Sequence, residues 1–153
     1  MTPHRRIVFS TQGPTPSECI FCKIATGKAP SFKVYEDDNY VAFLDAFPFS
    51  KGHTLVCPKK HGETMWDMEE EEIGGLFRTA SRVSRAVVAA VDADGFRLVQ
   101  NNGEAANQAV AHVHVHVIPV NMEDKGRFGG RRRYEDDEMK STAAAIRSRM
   151  AGD

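Results

Sequence analysis

Residues 112–119 read His-Val-His-Val-His-Val-Ile-Pro, and five of the six histidines in the chain fall either here or between His53 and His61. An extended chain turns successive side chains to opposite faces, so His112, His114 and His116 share one face while Val113, Val115 and Val117 share the other. The segment therefore asks for a sheet with one face in the core and one face given to chemistry. Neutral imidazole serves near pH 7 as a base, a nucleophile or a metal ligand, and three in register have few structural uses. Residues four apart on a strand are separated by roughly 13 Å and residues two apart by roughly 7 Å. His112 and His116 cannot both hold one ion without bending the strand, so the three must divide their labour.

Ahead of this segment lies the polar run Asn101-Asn102-Gly103-Glu104-Ala105-Ala106-Asn107-Gln108. Backbone N–H groups and side-chain amides in such a run are suited to wrapping an anionic group beside a nucleophile. With these features the chain resembles the histidine-triad (HIT) nucleotide-binding family, whose signature is three histidines alternating with apolar residues. The likeness extends to Gln108, four residues before His112, and to Asn101, eleven before it. It also takes in Ser50-Lys51-Gly52-His53-Thr54-Leu55-Val56-Cys57-Pro58-Lys59-Lys60-His61, the segment that carries the family's fourth histidine. The resemblance spans about residues 19–120. It divides the chain into an N-terminal arm (1–18), the HIT domain (19–120) and a C-terminal loop and helix of the same domain (121–153).

A chain of 153 residues, 41% hydrophobic, fits one domain with a sizeable core. The net charge of −1 gives no long-range field for nucleic acid or an acidic membrane, so an anion must be held by a local site. No apolar run is long enough to span a bilayer, and the N-terminus lacks an apolar signal region, so a cytoplasmic protein is expected. Three cysteines, Cys19, Cys22 and Cys57, are an odd number for a disulfide framework. By itself Cys19-Ile20-Phe21-Cys22 suits a redox pair or half of a zinc site. The resemblance implies the second: in many bacterial members such a pair joins the histidine after the Pro-Lys-Lys run and the first triad histidine around zinc. Carried onto this chain, the set is Cys19, Cys22, His61 and His112, a closed and therefore structural site.

The pattern predicts an α+β fold, with an antiparallel sheet of about five strands covered by one long amphipathic helix and shorter terminal helices. A short helix is expected from about Glu18 to Ala25, capped by Ser17 and stopped by Gly27. Strands are expected at Lys33 to Glu36, Tyr40 to Leu44, Thr54 to Pro58, Phe96 to Gln100 and Ala111 to Pro119. Apolar residues at helical spacing from Ile73 to Val91 predict one helix over about Met68 to Val91, with Glu69 to Glu72 at its N-terminal end. Gly74 and Gly75 within it would make sense if another backbone, that of a second subunit, approached there. Between Val120 and Lys140 six basic residues balance six acidic ones, so Arg131-Arg132-Arg133 reads first as part of a solvated loop, with contact of one arginine with a substrate phosphate as the lesser alternative. Met139, Ala143, Ile146 and Met150 suggest a C-terminal helix.

The resemblance implies a role for each site residue. His114 is the nucleophile, attacking an α-phosphorus to give a nucleotidyl-histidine. His116 and Gln108 hold the non-bridging oxygens, Asn101 lies near the departing group or the sugar-phosphate, and His53 orients the triad. Asp45 takes the ribose hydroxyls, and Ile20, Phe21, Ile24, Phe43, Leu44 and Ala46 form the base slot. The substrate is a purine nucleotide conjugate, a phosphoramidate or similar, and the working form is a homodimer. Two other readings are a nucleotide-binding regulatory protein with little turnover and a dinucleoside polyphosphate hydrolase. Ala109 stands where the phosphoramidase (Hint) branch commonly has a serine. A catalytic zinc site on His112 and His114 is disfavoured, because Cys19, Cys22 and His61 close the coordination sphere.

Overall fold

The computed structural model describes residues 7, 9, 15–127 and 129–151. Five strands, β1 (Lys33–Glu36), β2 (Tyr40–Leu44), β3 (Thr54–Pro58), β4 (Gly95–Val99) and β5 (Val115–Val120), form one antiparallel sheet in the order β1-β2-β3-β5-β4. One face packs on α2 (Glu70–Val91) and α3 (Asp136–Ala151) through Val34, Ala42, Val56, Val115 and Val117. The other face carries α1 (Ile20–Ala25) over Val41, Phe43, Leu55 and Cys57. With both faces covered, β2 and β3 are apolar almost throughout, as strands between two layers must be. This is the predicted architecture. No helix among the described residues is long and apolar enough to cross a membrane.

Local differences from the sequence pattern each have a physical cause. The triad segment joins the ladder only at Val115, not at Ala111: β4 ends at Val99, opposite His116, and β3 pairs with the segment no further than Val56, opposite Val115. Val113 N–H instead donates to Gly62 O at 2.9 Å, and the alternation persists: Val113 is in the core and His112 and His114 face away from it. The first helix is capped by Cys19, not Ser17, since Glu18 and Cys19 N–H both turn back to Thr15 O and Ser17 Oγ bonds Thr15 Oγ1. Before α2 the chain makes a 3-10 turn, Met65–Asp67, closed by a reciprocal Thr64–Asp67 capping box, so the α-helix proper begins at Glu70.

Gly75 is explained within the chain. A Cβ there would lie 2.0 Å from the Tyr40 hydroxyl, which donates to Glu72 O at 2.9 Å; at Gly74 it would meet only the end of Arg78. A side chain of β2, rather than the backbone of a second subunit, occupies the gap. The arm expected over residues 1–18 lies largely outside the described residues, and the C-terminal helix forms as α3.

Candidate active site and metal centre

Cys19 at the N-cap of α1 and Cys22 one turn later lie on the same side of the helix and meet His61 and His112. Cys19 Sγ is 3.4 Å and Cys22 Sγ 3.5 Å from His112 Nδ1, Cys22 Sγ is 3.3 Å from His61 Nδ1, and the two Nδ1 atoms are 3.2 Å apart. Tetrahedral zinc bonds of about 2.3 Å to sulfur and about 2.05 Å to nitrogen require edges of about 3.6 Å for S···N and about 3.4 Å for N···N, close to these values. His112 Nε2–H donates to Pro58 O at 2.7 Å, which leaves the lone pair on Nδ1, inside the cluster. Two imidazole nitrogens and two sulfurs thus converge at ligand spacing. Without a cation, burial and the adjacent Cys19 push the Cys22 thiol up to about 12. A soft divalent ion fits this donor set and would offset that cost.

The remaining histidines form a second cluster, and its hydrogen bonds fix where each proton sits. Gly52, at φ +92° with no room for a Cβ beside Val91, turns the chain so that His53 enters the core. Phe49 N–H donates to His53 Nδ1 at 3.0 Å, so neutral His53 carries its proton on Nε2. That proton points to His116 Nδ1 at 2.9 Å, which must accept, and His116 in turn keeps its own proton on Nε2. His114 is ordered separately: its Nδ1 lies 2.7 Å from His112 O, so Nδ1 donates and Nε2 bears the lone pair. All of these rings are neutral. Burial pushes His53 down to about 4 and His116 to about 3, with His114 and His53 adding to the effect on His116, and lowers His114 against the opposing carbonyl of His112. The 3.5 Å contact of His53 with Asp45 therefore joins a carboxylate to a neutral ring. Asp45, His53 and His116 are spaced like metal ligands. The Phe49 N–H nevertheless reserves the Nδ1 lone pair of His53 and keeps a proton on Nε2, so this cluster is a hydrogen-bonded relay, not a metal site.

Above the histidines opens a cavity of about 890 Å³. It brings together Ile20, Phe21, Ile24, Phe43, Leu44, Asp45, Ala46, Asn101, His114 and His116, as the sequence grouped them. Phe21 joins the apolar slot to the histidines, its ring edge-on to Phe43, His112 and His114 at 5.3, 5.9 and 5.1 Å. Two residues of the expected site stand behind the lining. His53 is fully buried beneath His116. Gln108 is turned into its own loop, where its Oε1 accepts from Gly103 N–H at 2.7 Å and its Nε2 donates to Val110 O and Glu63 O. Gly103, at φ +96°, is the position where that loop needs a glycine.

The cavity also has a residue that the sequence pattern missed. Arg131 reaches its mouth, where Nη1 donates to Asp45 Oδ2 at 3.1 Å and to Phe47 O at 2.6 Å, and the guanidinium lies 4.4 Å from the centre of the Phe49 ring. The triple arginine amid acidic residues gave no sign of this, because its partners are more than eighty residues away in the chain.

The HIT domain family matches residues 26–122. Among curated relatives, the adenosine 5'-monophosphoramidase hnt1 of Schizosaccharomyces pombe is 37% identical over 134 residues, covering 86% of this chain and 98% of the relative. The adenylylsulfatase HINT3 of Arabidopsis thaliana is 39% identical over 108 residues, 71% of this chain and 55% of that protein. Among solved structures, a zinc-bound histidine triad family protein from Mycobacterium smegmatis superposes with a TM-score of 0.82 at 37% identity, covering 90% of this chain and 96% of the other. The matched family, the shared fold and the ordered histidines over a cavity agree, and this chain belongs to the HIT family, among whose members are hydrolases of nucleotide conjugates.

Proposed function

We propose that this protein is a nucleotide-binding hydrolase or nucleotidyl transferase that attacks the α-phosphate of a purine nucleotide conjugate, a phosphoramidate or similar, through a covalent nucleotidyl-histidine. The observation that carries the reading is the protonation pattern of His114: Nδ1–H is held by His112 O, which leaves the lone pair on Nε2 of a residue that lines the cavity. A neutral imidazole in this tautomer needs no base to become a nucleophile. As the Nε2–P bond forms, the bond from phosphorus to the leaving group breaks and the amine departs with a proton from solvent. Water or another acceptor then cleaves the Nε2–P bond. The His112 carbonyl stabilises the charge that His114 carries in between.

His116 Nε2–H is a donor aimed at the non-bridging oxygens, held in that tautomer by His53. Asn101 lies near the departing group or the sugar-phosphate, and Gln108 sets the shape of the loop that wraps the phosphate. Asp45 takes the ribose hydroxyls, and the slot from Ile20 to Ala46 holds the base. Relatives that act on adenosine phosphoramidates and adenylyl sulfate support this substrate class. Cys19, Cys22, His61 and His112 hold a structural zinc. When bound, it locks α1, and with it Phe21, against the triad segment; a closed sphere leaves it no part in the reaction. The protein works as a homodimer: β4 is an edge strand of the sheet with Phe96 and Leu98 exposed. Turnover of adenosine and guanosine phosphoramidates, dinucleoside polyphosphates and adenylyl sulfate, measured side by side, tests the assignment. A phosphoramidate is the favoured substrate, and failure on every member of the panel contradicts it.

A further inference from the structure

The proton on His53 Nε2 has two acceptors within reach, His116 Nδ1 at 2.9 Å and Asp45 Oδ2 at 3.5 Å. A carboxylate is the stronger acceptor of the two. If Asp45 took the proton, His116 Nδ1 would lose its donor and the ring would be free to move its own proton from Nε2 to Nδ1. A lone pair would then face the phosphate oxygens where a donor is required. Which acceptor wins is therefore decisive for the relay.

The structure shows what holds Asp45 away. Its Oδ1 accepts from Phe47 N–H at 2.9 Å, and its Oδ2 accepts from Arg131 at 3.1 Å in a charge-assisted pair. Arg131 is itself anchored by Phe47 O and by the face of Phe49, the residue whose N–H orients His53. The neighbouring Arg132 N–H donates to Pro48 O at 2.7 Å, so the C-terminal loop is fastened to the β2–β3 loop along its backbone as well. Phe49 also stacks on His53, with ring centres 5.6 Å apart and planes 13° apart. The charged and titratable groups that act on His53 are Asp45, Arg131 and His114, with His116 on its hydrogen bond, and Arg131 is the cation among them.

We infer that Arg131, which lies outside the matched HIT domain, is a positioning residue that occupies Asp45 and so directs the His53 proton to His116 and fixes the His116 tautomer. Its consequence for turnover rests on the reaction proposed above; its effect on the proton does not. The test is a long-range proton–nitrogen correlation spectrum of the ¹⁵N-labelled, zinc-loaded full chain at neutral pH. In the parent protein His116 Nδ1 should resonate as an unprotonated nitrogen and Nε2 as a protonated one. Arg131→Ala should move both toward the average of two exchanging tautomers. Arg131→Lys, which keeps the charge, should restore part of the original pattern. Arg131→Ala combined with Asp45→Asn should return His116 to the parent pattern, because the competing carboxylate is gone. With a phosphoramidate substrate, Arg131→Ala should lower kcat by roughly tenfold, the scale of one net hydrogen bond, with a smaller change in KM. An unchanged His116 tautomer in folded Arg131→Ala, or in the uncharged Arg131→Met if the alanine variant does not fold, overturns the inference. So does a double variant that behaves like Arg131→Ala alone. A tautomer that moves as described in a protein that turns over no phosphoramidate counts against the proposed reaction and leaves this inference standing.

Discussion

His53 Nε2 lies 2.9 Å from His116 Nδ1, and the Phe49 N–H on the far side of the His53 ring gives that hydrogen bond a single direction. Both rings must be neutral for it to exist. Their folded values are depressed, to about 4 and about 3, below the unfolded value of about 6.5. Below pH 6.5 the unfolded chain takes up these protons first. Their contribution to stability is thus complete above pH 6.5 and is lost as the pH falls toward the folded values, at about 1.4 kcal/mol per pH unit for each histidine fully within that window. Nitrogen chemical shifts of His53 and His116 followed from pH 8 to 4.5 should show both rings neutral at pH 5.5. Titration of either near 6.5 in the folded protein would contradict the relay.

His114→Ala is expected to abolish turnover while leaving the dissociation constant for the nucleoside monophosphate within roughly tenfold, because a nucleophile acts mainly on the chemical step. Single-turnover kinetics and calorimetry separate the two effects. Equal losses in binding and turnover would place the nucleophile elsewhere.

Metal analysis of protein prepared without chelators should return one zinc per chain. Cys22→Ser should release it and lower the melting temperature, since a structural metal is linked to folding. His112 is fully buried and bonded to Pro58 O, so the loss should loosen the triad segment as well as α1. A metal-free protein that melts at the same temperature with and without added zinc would refute the site.

Gly75→Ala should destabilise the fold by about 1–3 kcal/mol, the usual cost of overpacking, because the new methyl collides with the Tyr40 hydroxyl. In a Tyr40→Ala background the same change should cost much less, so the two substitutions should be non-additive in urea melts. Additive losses would show that Tyr40 is not what the glycine accommodates.

The parts of this molecule that were legible in its sequence depend on short-range spacing. Alternation along residues 112–117 separates the core valines from the histidines, and Cys-x-x-Cys brings two thiols onto one helical turn; their partners, His61 and His112 for the thiols and Asp45 and His53 for the triad, came from the likeness to the HIT family. Helical spacing likewise revealed α2 and α3. What stayed hidden depends on contacts between distant segments. Nothing near Arg131 in sequence points to Asp45, 86 residues earlier, and nothing near Gly75 points to Tyr40. The ends of elements were misjudged where a partner strand ran out, as at Val99, or where a local turn took up the first N–H groups, as before Cys19. Gln108 shows the same limit: its place in the sequence suits a phosphate ligand, while its amide is taken up by the loop it closes.

The covalent step on His114 is the centre of the account, and the stereochemical course at phosphorus reads it most directly. A nucleoside phosphorothioate conjugate of one configuration, hydrolysed in isotopically labelled water, passes through two in-line displacements if His114 Nε2 takes the nucleotidyl group. The account predicts product with net retention. Net inversion would mean that water attacks the phosphorus in a single step, and His114 would then be no nucleophile.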